Sequence, residues 1–462
     1  MKILIIKLGA LGDVVRTLPL AKAIKEEFSD SEICWITRKG SLEIVRNSPY
    51  VDKAEPLPFE PKGKFDILYN FDIDDEATEL AAKLDAAKKL GFYSDGGYPA
   101  AFNEGAEYYL NTIFDDSFKR ENRKTYQEMM FDVAELNYKK QHHEIVFSEE
   151  HRKYAEEFTK KNNLNSKKLI GIHIGSSPRW PSKAWNTENI IDFITNAKGK
   201  EYEVILFSGP DDIEKQKKIL DSLNEKGIKV HANNPFNSLS EFFSLISLCN
   251  AVVCSDSLAI HISLALKKPT IGLFFVTSPH EIEDYGILTK LISPRLKEFF
   301  PEKMDKHDEE LTKSISADDV LEALETTLES KPARVVNAIV KHPDEEKFLL
   351  IKRKNEEMHK GKWAFPGGVV EKNETTGEAL SRELEEETGL ELCRIIRKVA
   401  EYSYERPDGK KTFGESYLVT VKNFNVKEGE EIDDIRWVTL EELERMEHIE
   451  GIEEEAMNAL YT

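Results

Sequence analysis

Cysteine is scarce. Four residues, Cys34, Cys249, Cys254 and Cys393, are scattered over 462 positions. That is too few and too dispersed for a disulfide framework, and no CxxC pair suggests a zinc site. Three of the four lie in apolar runs and read as small core residues. Long hydrophobic runs are missing as well. Nothing approaches the roughly 18–20 apolar residues that span a bilayer. The apolar run in the opening "MKILIIKLGALGD" is too short for a signal-peptide core and lacks a cleavage site. A reducing cytoplasm is the expected compartment, with no integral membrane segment. Positive charge is in deficit, 64 Lys and Arg against 85 Asp and Glu, for a formal net charge of −21. That balance argues against nucleic acid or an anionic membrane as the main partner. It leaves anionic small molecules, which bind through local backbone amides and a few lysines. Repeats of solenoid length and low-complexity tracts are also absent.

What remains is an ordinary globular balance, 40% hydrophobic, 32% charged and 10% aromatic. The chain is too long for one hydrophobic core, and its length suggests about three domains. Strand-like "KILIIK", "EICWIT" and "FDILYNFD" alternate with helix-like "DVVRTLPLAKAIKEEF" and "SLEIVRNSP". From about Leu164 the alternation restarts: strands "KKLIGIHIG", "YEVILFSG", "AVVCSD" and "PTIGLFF" are separated by helices "NTENIIDFITNA", "SLSEFFSLISLC" and "LAIHISLALKK". Asn186 or Thr187 caps the first of these helices. Such alternation indicates parallel sheets with helices on both faces. A capped helix over Ser316–Ser330 closes the second module. "SKPARVV", with Pro332, is the joint to a mixed α+β segment of about 130 residues. The expected domains are 1–163, 164–330 and 333–462.

The stretch "GGVVEKNETTGEALSRELEEETGL" poses a problem of charge. Like charges three or four apart on a helix repel, yet Glu383, Glu386 and Glu387 share one helical face. Grouped hard oxygen ligands suit Mg²⁺ or Mn²⁺ bridging to phosphates. The spacing is regular: Gly368, five residues, Glu374, seven residues, then Arg382-Glu383-Leu384, Glu386-Glu387, Gly389 and Leu390. This resembles the Nudix box at every specified position. A solvated acidic face explains the glutamates alone, but not the glycines and the arginine in these registers.

The resemblance implies hydrolysis of a nucleoside diphosphate linked to another moiety. It makes Glu386 and Glu387 the principal metal ligands and Glu383 their assistant. Arg382 pairs with Glu374, Gly367 and Gly368 let backbone approach phosphate, and Gly389 caps the helix. Glu430 or Glu431 is either a further ligand or base, or a surface carboxylate. Tyr402, Tyr404 and Trp437 are either base-stacking or core residues, the latter being the commoner use of strand aromatics.

In the first module "KLGALGDVVRTLP" places Gly9 and Gly12 in a strand-to-helix turn that is neither a Walker A loop nor GxGxxG. Asp13 at the helix start also fits a plain dipole-favoured position. "HIGSSPRWPSKAW" and "SDSLAIHISLALKKPTIGLFFVTSP" form two further junctions at carboxyl ends of strands, where ligands bind in such sheets. Together the three stretches resemble the heptosyltransferase-type glycosyltransferases (family 9) over roughly residues 1–330.

That resemblance implies two Rossmann-like domains in a GT-B arrangement, ahead of an α/β/α-sandwich Nudix domain. It implies inverting glycosyl transfer without a metal, from a nucleotide-sugar donor to a glycan or lipid-linked saccharide acceptor. Asp13 becomes the general base, with Lys7 and Gly12 beside it. Ser176, Ser177 and Lys183 hold the diphosphate, Glu214 bonds the ribose, and Asp256 orients the donor sugar. The amides of Ser257 and Leu258, with His261 nearby, face the phosphates. Phe275 stands where the family has glycine, which would narrow the donor pocket, and the family's cysteine-containing loop is missing. Two alternatives to a bifunctional enzyme remain: a Nudix hydrolase with a module that only binds a nucleotide sugar, and a transferase regulated by a nucleotide-sensing Nudix module.

Overall fold

The computed structural model describes all residues except 60–62, 143–145, 147, 165–167, 330–332, 355–360, 372–373, 406–410, 430–431 and 461–462. Pro332, Glu430 and Glu431 therefore lie outside the described residues. The chain divides into two compact units, Met1–Glu329 and Ser330–Thr462.

The first unit holds two six-stranded sheets. One is built from β1 (Lys2–Ile6), β2 (Glu32–Thr37), β3 (Lys53–Pro56), β4 (Phe65–Asn70), β5 (Ala86–Asp95) and β6 (Tyr98–Ala101). Its order is β3-β2-β1-β4-β5-β6, parallel except for the final β5–β6 hairpin. The other comprises β7 (Leu169–His173), β8 (Glu203–Phe207), β9 (His231–Ala232), β10 (Ala251–Ser255), β11 (Thr270–Phe274) and β12 (Leu288–Ile292). It is fully parallel in the order β12-β11-β10-β7-β8-β9. Counted within each sheet, both orders are 3-2-1-4-5-6, the doubly wound arrangement. The order reverses between β1 and β4 in one sheet and between β7 and β10 in the other.

Central strands are apolar throughout because both faces are covered. Ile3 to Ile6 and Ala251 to Val253 are all buried. The second sheet's core joins Ile170, Ile172, Val204, Leu206, Val253 and Ile271 to helix residues such as Phe193 and Val320. Phe275 belongs to this core at 1% exposure, so it packs inward and does not narrow a donor pocket.

Local signals act where expected. Asn186 caps the helix Thr187–Gly199 by accepting from the Glu188 amide at 2.8 Å. Ser238 and Glu241 form a capping box at Leu239–Ser247. The first predicted helix is two, Leu11–Thr17 and Pro19–Glu27, because Pro19 opens a new helix.

The second unit contains β13 (Ala333–Val340), β14 (Phe348–Arg353), β15 (Trp363–Ala364), β16 (Gly367–Val369), β17 (Leu392–Glu405), β18 (Lys411–Val421) and β19 (Ile432–Val438). They form a mixed sheet β16-β13-β18-β17 and an antiparallel sheet β15-β14-β19. The helix Thr376–Thr388 buries Ala379, Leu380 and Leu384 against Val336, Ala338 and Val419. Glu383 and Glu387 lie along this same inward side, 13% and 7% exposed, while Glu386 turns outward at 61%. The helix Ile452–Leu460 buries Ile452, Ala456 and Ala459 in a separate core with Ile339 and Phe348.

Candidate functional site

In the first unit the turn after β1 and the end of β4 flank the switch point of the sheet. Asp72, just past β4, accepts from the amides of Leu8 at 2.9 Å and Gly9 at 2.6 Å. Lys7 is buried, lies 3.4 Å from the Asp72 carboxylate and donates to the Phe71 carbonyl at 2.9 Å. Burial works against the charge on Lys7, but Tyr126, Asp72 and Asp13 outweigh it and keep the amine protonated. The turn is thereby locked, and Lys7 faces inward rather than into open space.

Asp13 sits in the first turn of Leu11–Thr17, and Arg16 pairs with it at 2.7 Å. The Arg16 guanidinium lies 3.6 Å over the Tyr126 ring. Burial pushes the Asp13 carboxyl up, and Arg16, Lys7 and His261 more than offset it, so Asp13 is held below the usual carboxylate range.

The other half of the unit supplies the opposite wall. Lys183 lies 2.9 Å from Asp256, which follows β10. Burial raises the Asp256 carboxyl, but Lys183 and His261 pull it well below the usual range. Ser257 precedes the helix Leu258–Ala265 without capping it, and its hydroxyl lies 3.3 Å from His173 Nδ1. His261 is buried within that helix. Burial first, and then Arg16, bring its imidazole down to about 4, so it is neutral near pH 7.

Gly12 brings the halves together. A Cβ there would fall 2.8 Å from His261 Cδ2 and 3.7 Å from the Leu258 Cα, so only glycine leaves room for the ring. Asp13, Gly12, Lys183, Asp256, Ser257, Leu258 and His261 thus lie close together. Ser176 is half-buried, while Ser177 and Glu214 are exposed. Among the described residues no bond joins these three to the cluster. The residue after Glu214, Lys215, turns inward instead and donates to the carbonyls of Ile174 at 2.9 Å and Trp185 at 3.0 Å. It ties together the loops that carry Ser176 and Lys183, and burial lowers its amine to about 8.

In the second unit Arg382 is the hub. It makes a bidentate pair with Glu374 at 2.9 and 3.0 Å, bonds Glu383 at 2.8 Å and Glu386 at 3.3 Å, and donates to the Val369 carbonyl at 3.0 Å. Glu383 is 13% exposed and Glu386 is 61% exposed. Glu387 is buried, accepts from the Gly367 amide at 2.7 Å and lies 3.1 Å from Arg353 on β14. Burial holds the Glu383 carboxyl above its ordinary value. A Cβ on Gly368 would fall 2.3 Å from Glu383 Oε1, so the glycine leaves the carboxylate its place. Gly389 closes the helix with φ +67° and bonds the Glu385 carbonyl at 3.0 Å.

Among the described residues no three acidic, histidine or cysteine groups converge in metal-binding geometry. Glu383 and Glu386 are drawn to Arg382, and Glu387 to Arg353. The donor set still fits a hard cation: three carboxylates at helical spacing, one of them raised by burial, beside a glycine that leaves space.

Trp437 packs against the sheet core and lies edge-on to His342 at 5.1 Å, so it is a packing residue. Tyr402 lies across Gly414, where a Cβ would fall 2.0 Å from its ring, and its hydroxyl accepts from Asn337 at 2.5 Å. Tyr404 stacks on Tyr402 at 6.2 Å.

Sequence profiles match both units. That of glycosyltransferase family 9 (heptosyltransferase) covers residues 101–310, and that of the NUDIX domain covers 331–457. The chain joins a family 9 glycosyltransferase domain to a NUDIX domain. Both are enzyme classes. Over 331 residues the chain is 24% identical to lipopolysaccharide heptosyltransferase 1 of Campylobacter coli, covering 67% of this chain and 94% of that protein. Fifty-nine residues are 52% identical to an ADP-ribose pyrophosphatase of Methanocaldococcus jannaschii, covering 13% of this chain and 33% of that one. In fold, a family 9 glycosyl transferase of Veillonella parvula superposes with a TM-score of 0.57 at 21% identity, covering 71% of this chain and 97% of that one.

Several residues at the transferase and NUDIX sites escape sequence reading. Arg16 had a signal in its i, i+3 spacing from Asp13. Asp72, Lys215 and Arg353 had none, since each reaches its site through tertiary packing. Glu455, on the helix Ile452–Leu460 of the NUDIX domain, also carries no sequence signal. It is 7% exposed, burial pushes its carboxyl up to about 7, and Oε2 has no hydrogen-bond partner. No described helix of either domain is long and apolar enough to cross a membrane.

Proposed function

We propose that residues 1–329 transfer a glycosyl group from a nucleotide sugar to a saccharide acceptor, in a GT-B arrangement, and that the NUDIX domain hydrolyses a nucleoside diphosphate linked to another moiety. The supporting observation is the cluster around Gly12, where an ionised Asp13 meets Asp256, Lys183 and His261 at the switch points of two doubly wound sheets.

In transfer with inversion, Asp13 takes the proton of the acceptor hydroxyl as that oxygen bonds the anomeric carbon. The bond from that carbon to the diphosphate breaks on the opposite face, and the leaving group carries away the electron pair. Lys183, with Ser176, Ser177 and the amides of Ser257 and Leu258, receives its charge. Asp256 holds the sugar, Glu214 the ribose, and neutral His261 shapes the wall without adding charge.

In the NUDIX domain Glu383, Glu386 and Glu387 would hold Mg²⁺ or Mn²⁺. When bound, such a cation supplies charge neutralisation to a diphosphate and lowers the pKa of water. Arg382 orients Glu383 and fixes the Glu374 loop, while Arg353 orients Glu387. The regulatory alternative has one observation in its favour, the engagement of Glu383 and Glu386 by Arg382.

The test is mass spectrometry of products from the full-length protein, with Mg²⁺ or chelator, against nucleotide sugars and ADP-ribose, with and without a saccharide acceptor. Chelator-sensitive release of a nucleoside monophosphate and a sugar phosphate supports the hydrolase. Acceptor-dependent release of a nucleoside diphosphate supports the transferase. Tight nucleotide binding without turnover at the NUDIX domain supports the sensor.

A further inference from the structure

The transferase base carries a partner of its own. Arg16 lies one helical turn beyond Asp13, with Nη2 2.7 Å from Oδ1. The Arg16 side chain is only 14% exposed, and its guanidinium carbon lies 3.6 Å from the centre of the Tyr126 ring. The Tyr126 hydroxyl is 3.0 Å from Thr17 Oγ1, and Thr17 Oγ1 donates back to the Asp13 carbonyl at 2.6 Å. These contacts close a ring, Asp13 to Arg16 to Tyr126 to Thr17 and back to Asp13. No member of the ring moves without disturbing the next.

We propose that Arg16 is the positioning residue for Asp13, holding its carboxylate ionised and in one orientation for the acceptor proton. The proposal deepens the reading of Asp13 as the transferase base and rests on it.

The other charged and titratable groups around Asp13 do not fill this role. Lys7, from the turn after β1, is engaged by Asp72 and the Phe71 carbonyl. His261, from Leu258–Ala265, is neutral near pH 7. Tyr109 and Tyr126, from Glu104–Phe114 and Tyr126–Ala134, couple to Lys7 and Arg16. Asp256 and Glu281 lie within electrostatic reach of Arg16 and add negative charge. Arg16 is the largest influence holding the Asp13 carboxyl down against burial, ahead of Lys7 and His261.

Arginine suits the position better than lysine. Its planar group stacks on a ring while keeping an in-plane bond to the carboxylate, and it stays charged at any working pH. The Arg16 Nε is buried without a partner, so the guanidinium is not held by further acceptors there. Asp13 and the ring face of Tyr126 fix it instead.

The experiment is a ¹³C-carboxylate NMR titration of full-length protein, with Asp13 assigned by the signal lost in Asp13→Asn. Arg16→Met keeps the apolar stem on Tyr126, and Arg16→Lys keeps the charge. The pH dependence of glycosyl transfer is recorded alongside. In Arg16→Met the Asp13 midpoint and the acid limb of the rate profile should move up by roughly one to three pH units. Arg16→Lys should restore most of the shift. An unchanged Asp13 midpoint in folded Arg16→Met overturns the proposal, and if that variant does not fold, Arg16→Gln decides by the same midpoint. A shifted midpoint together with full activity in Asp13→Asn leaves the Arg16 assignment standing and refutes the base.

Discussion

The two sites solve the problem of clustered carboxylates in opposite ways. In the transferase domain three acids each meet a cation of the protein: Asp13 with Arg16 at 2.7 Å, Asp256 with Lys183 at 2.9 Å, Asp72 with Lys7 at 3.4 Å. All three carboxyls are held below their ordinary range. In the NUDIX domain Glu374, Glu383 and Glu386 converge on Arg382, and Glu387 meets Arg353. Positive charge falls short there, and Glu383 is held above its ordinary value. A site whose acids are paired with its own cations keeps its carboxylates ionised. A site left anionic is ready to take up a cation. The difference lies in how many cations are supplied: each of these transferase acids has its own, from the same helix for Asp13 and from a neighbouring loop for Asp72 and Asp256, whereas Glu383, Glu386 and Glu387 share one helix and Glu374, Glu383 and Glu386 share the single Arg382.

The largest test of this contrast is Asp13→Asn. It should reduce glycosyl transfer by ~10²–10⁴-fold, the usual contribution of a positioned base, and leave NUDIX hydrolysis at the parent rate. Initial rates of both reactions in one preparation decide it. Equal loss of both would mean the sites are not independent.

Next comes Glu387→Gln, which removes an anion from the site short of cations. Hydrolysis should fall by at least ~100-fold, since even residues behind metal ligands are worth ~10–100-fold. The rise in Tm on adding Mg²⁺ at saturating concentration should shrink with it, because a ligand that binds only the folded state stabilises it. Thermal unfolding with Mg²⁺ or chelator measures this. A variant that keeps the full Mg²⁺-dependent rise would remove Glu387 from the ligand set.

Glu455 extends the comparison to stability. Its native carboxyl is pushed up to about 7, while an unfolded glutamate titrates near 4.5. Between those values the native state holds a proton that the unfolded chain has released. Raising pH through this window therefore favours unfolding, by roughly 2–3 kcal/mol for this group. Glu455→Gln has no such proton to lose. Hydrogen exchange in β13 and β18 should show the parent weakening from pH 5 to pH 8 more than the variant. Identical slopes would show that Glu455 is not the group responsible.

How much of this was legible follows from the same physics. The NUDIX helix was readable because Glu383, Glu386 and Glu387, the Arg382–Glu374 pair and the Gly389 cap lie within one continuous stretch, where spacing alone sets the face. Arg353 comes from a separate strand, and nothing in its local sequence marks it. The alternating elements around β1, β2, β4, β7, β8, β10 and β11 were readable because central strands are uninterrupted apolar runs. Strand β5 was not: "AAKKLGFYSD" follows the helix Asp75–Lys83 almost directly and carries two lysines, and pairing with β4 overrides its weak strand character. Phe275 was misread because a resemblance aligns positions without saying which way a side chain points. Asp72 and Lys215 act on loops far from them in sequence.

The smallest effect expected is the most local, at the contact that unites the two halves of the transferase domain. Gly12→Ala places a Cβ 2.8 Å from His261 Cδ2, closer than real side chains approach. The ring is buried in a well-packed helix and has little room to retreat, so about 1 kcal/mol of destabilisation is expected, at the low end of overpacking. Gly368→Ala looks worse by distance, 2.3 Å, but meets the end of a flexible glutamate that can swing aside. Gly12→Ala should therefore lower the stability of the transferase domain, and Gly368→Ala should leave NUDIX stability unchanged while weakening Mg²⁺ binding. His261→Ala in the Gly12→Ala background separates crowding from any other effect. If crowding is the cause, the double variant is more stable than the sum of the single changes predicts, as expected for residues in direct contact. Additive behaviour would mean that Gly12 and His261 do not meet, and the contact between the halves would have to be assigned to other residues.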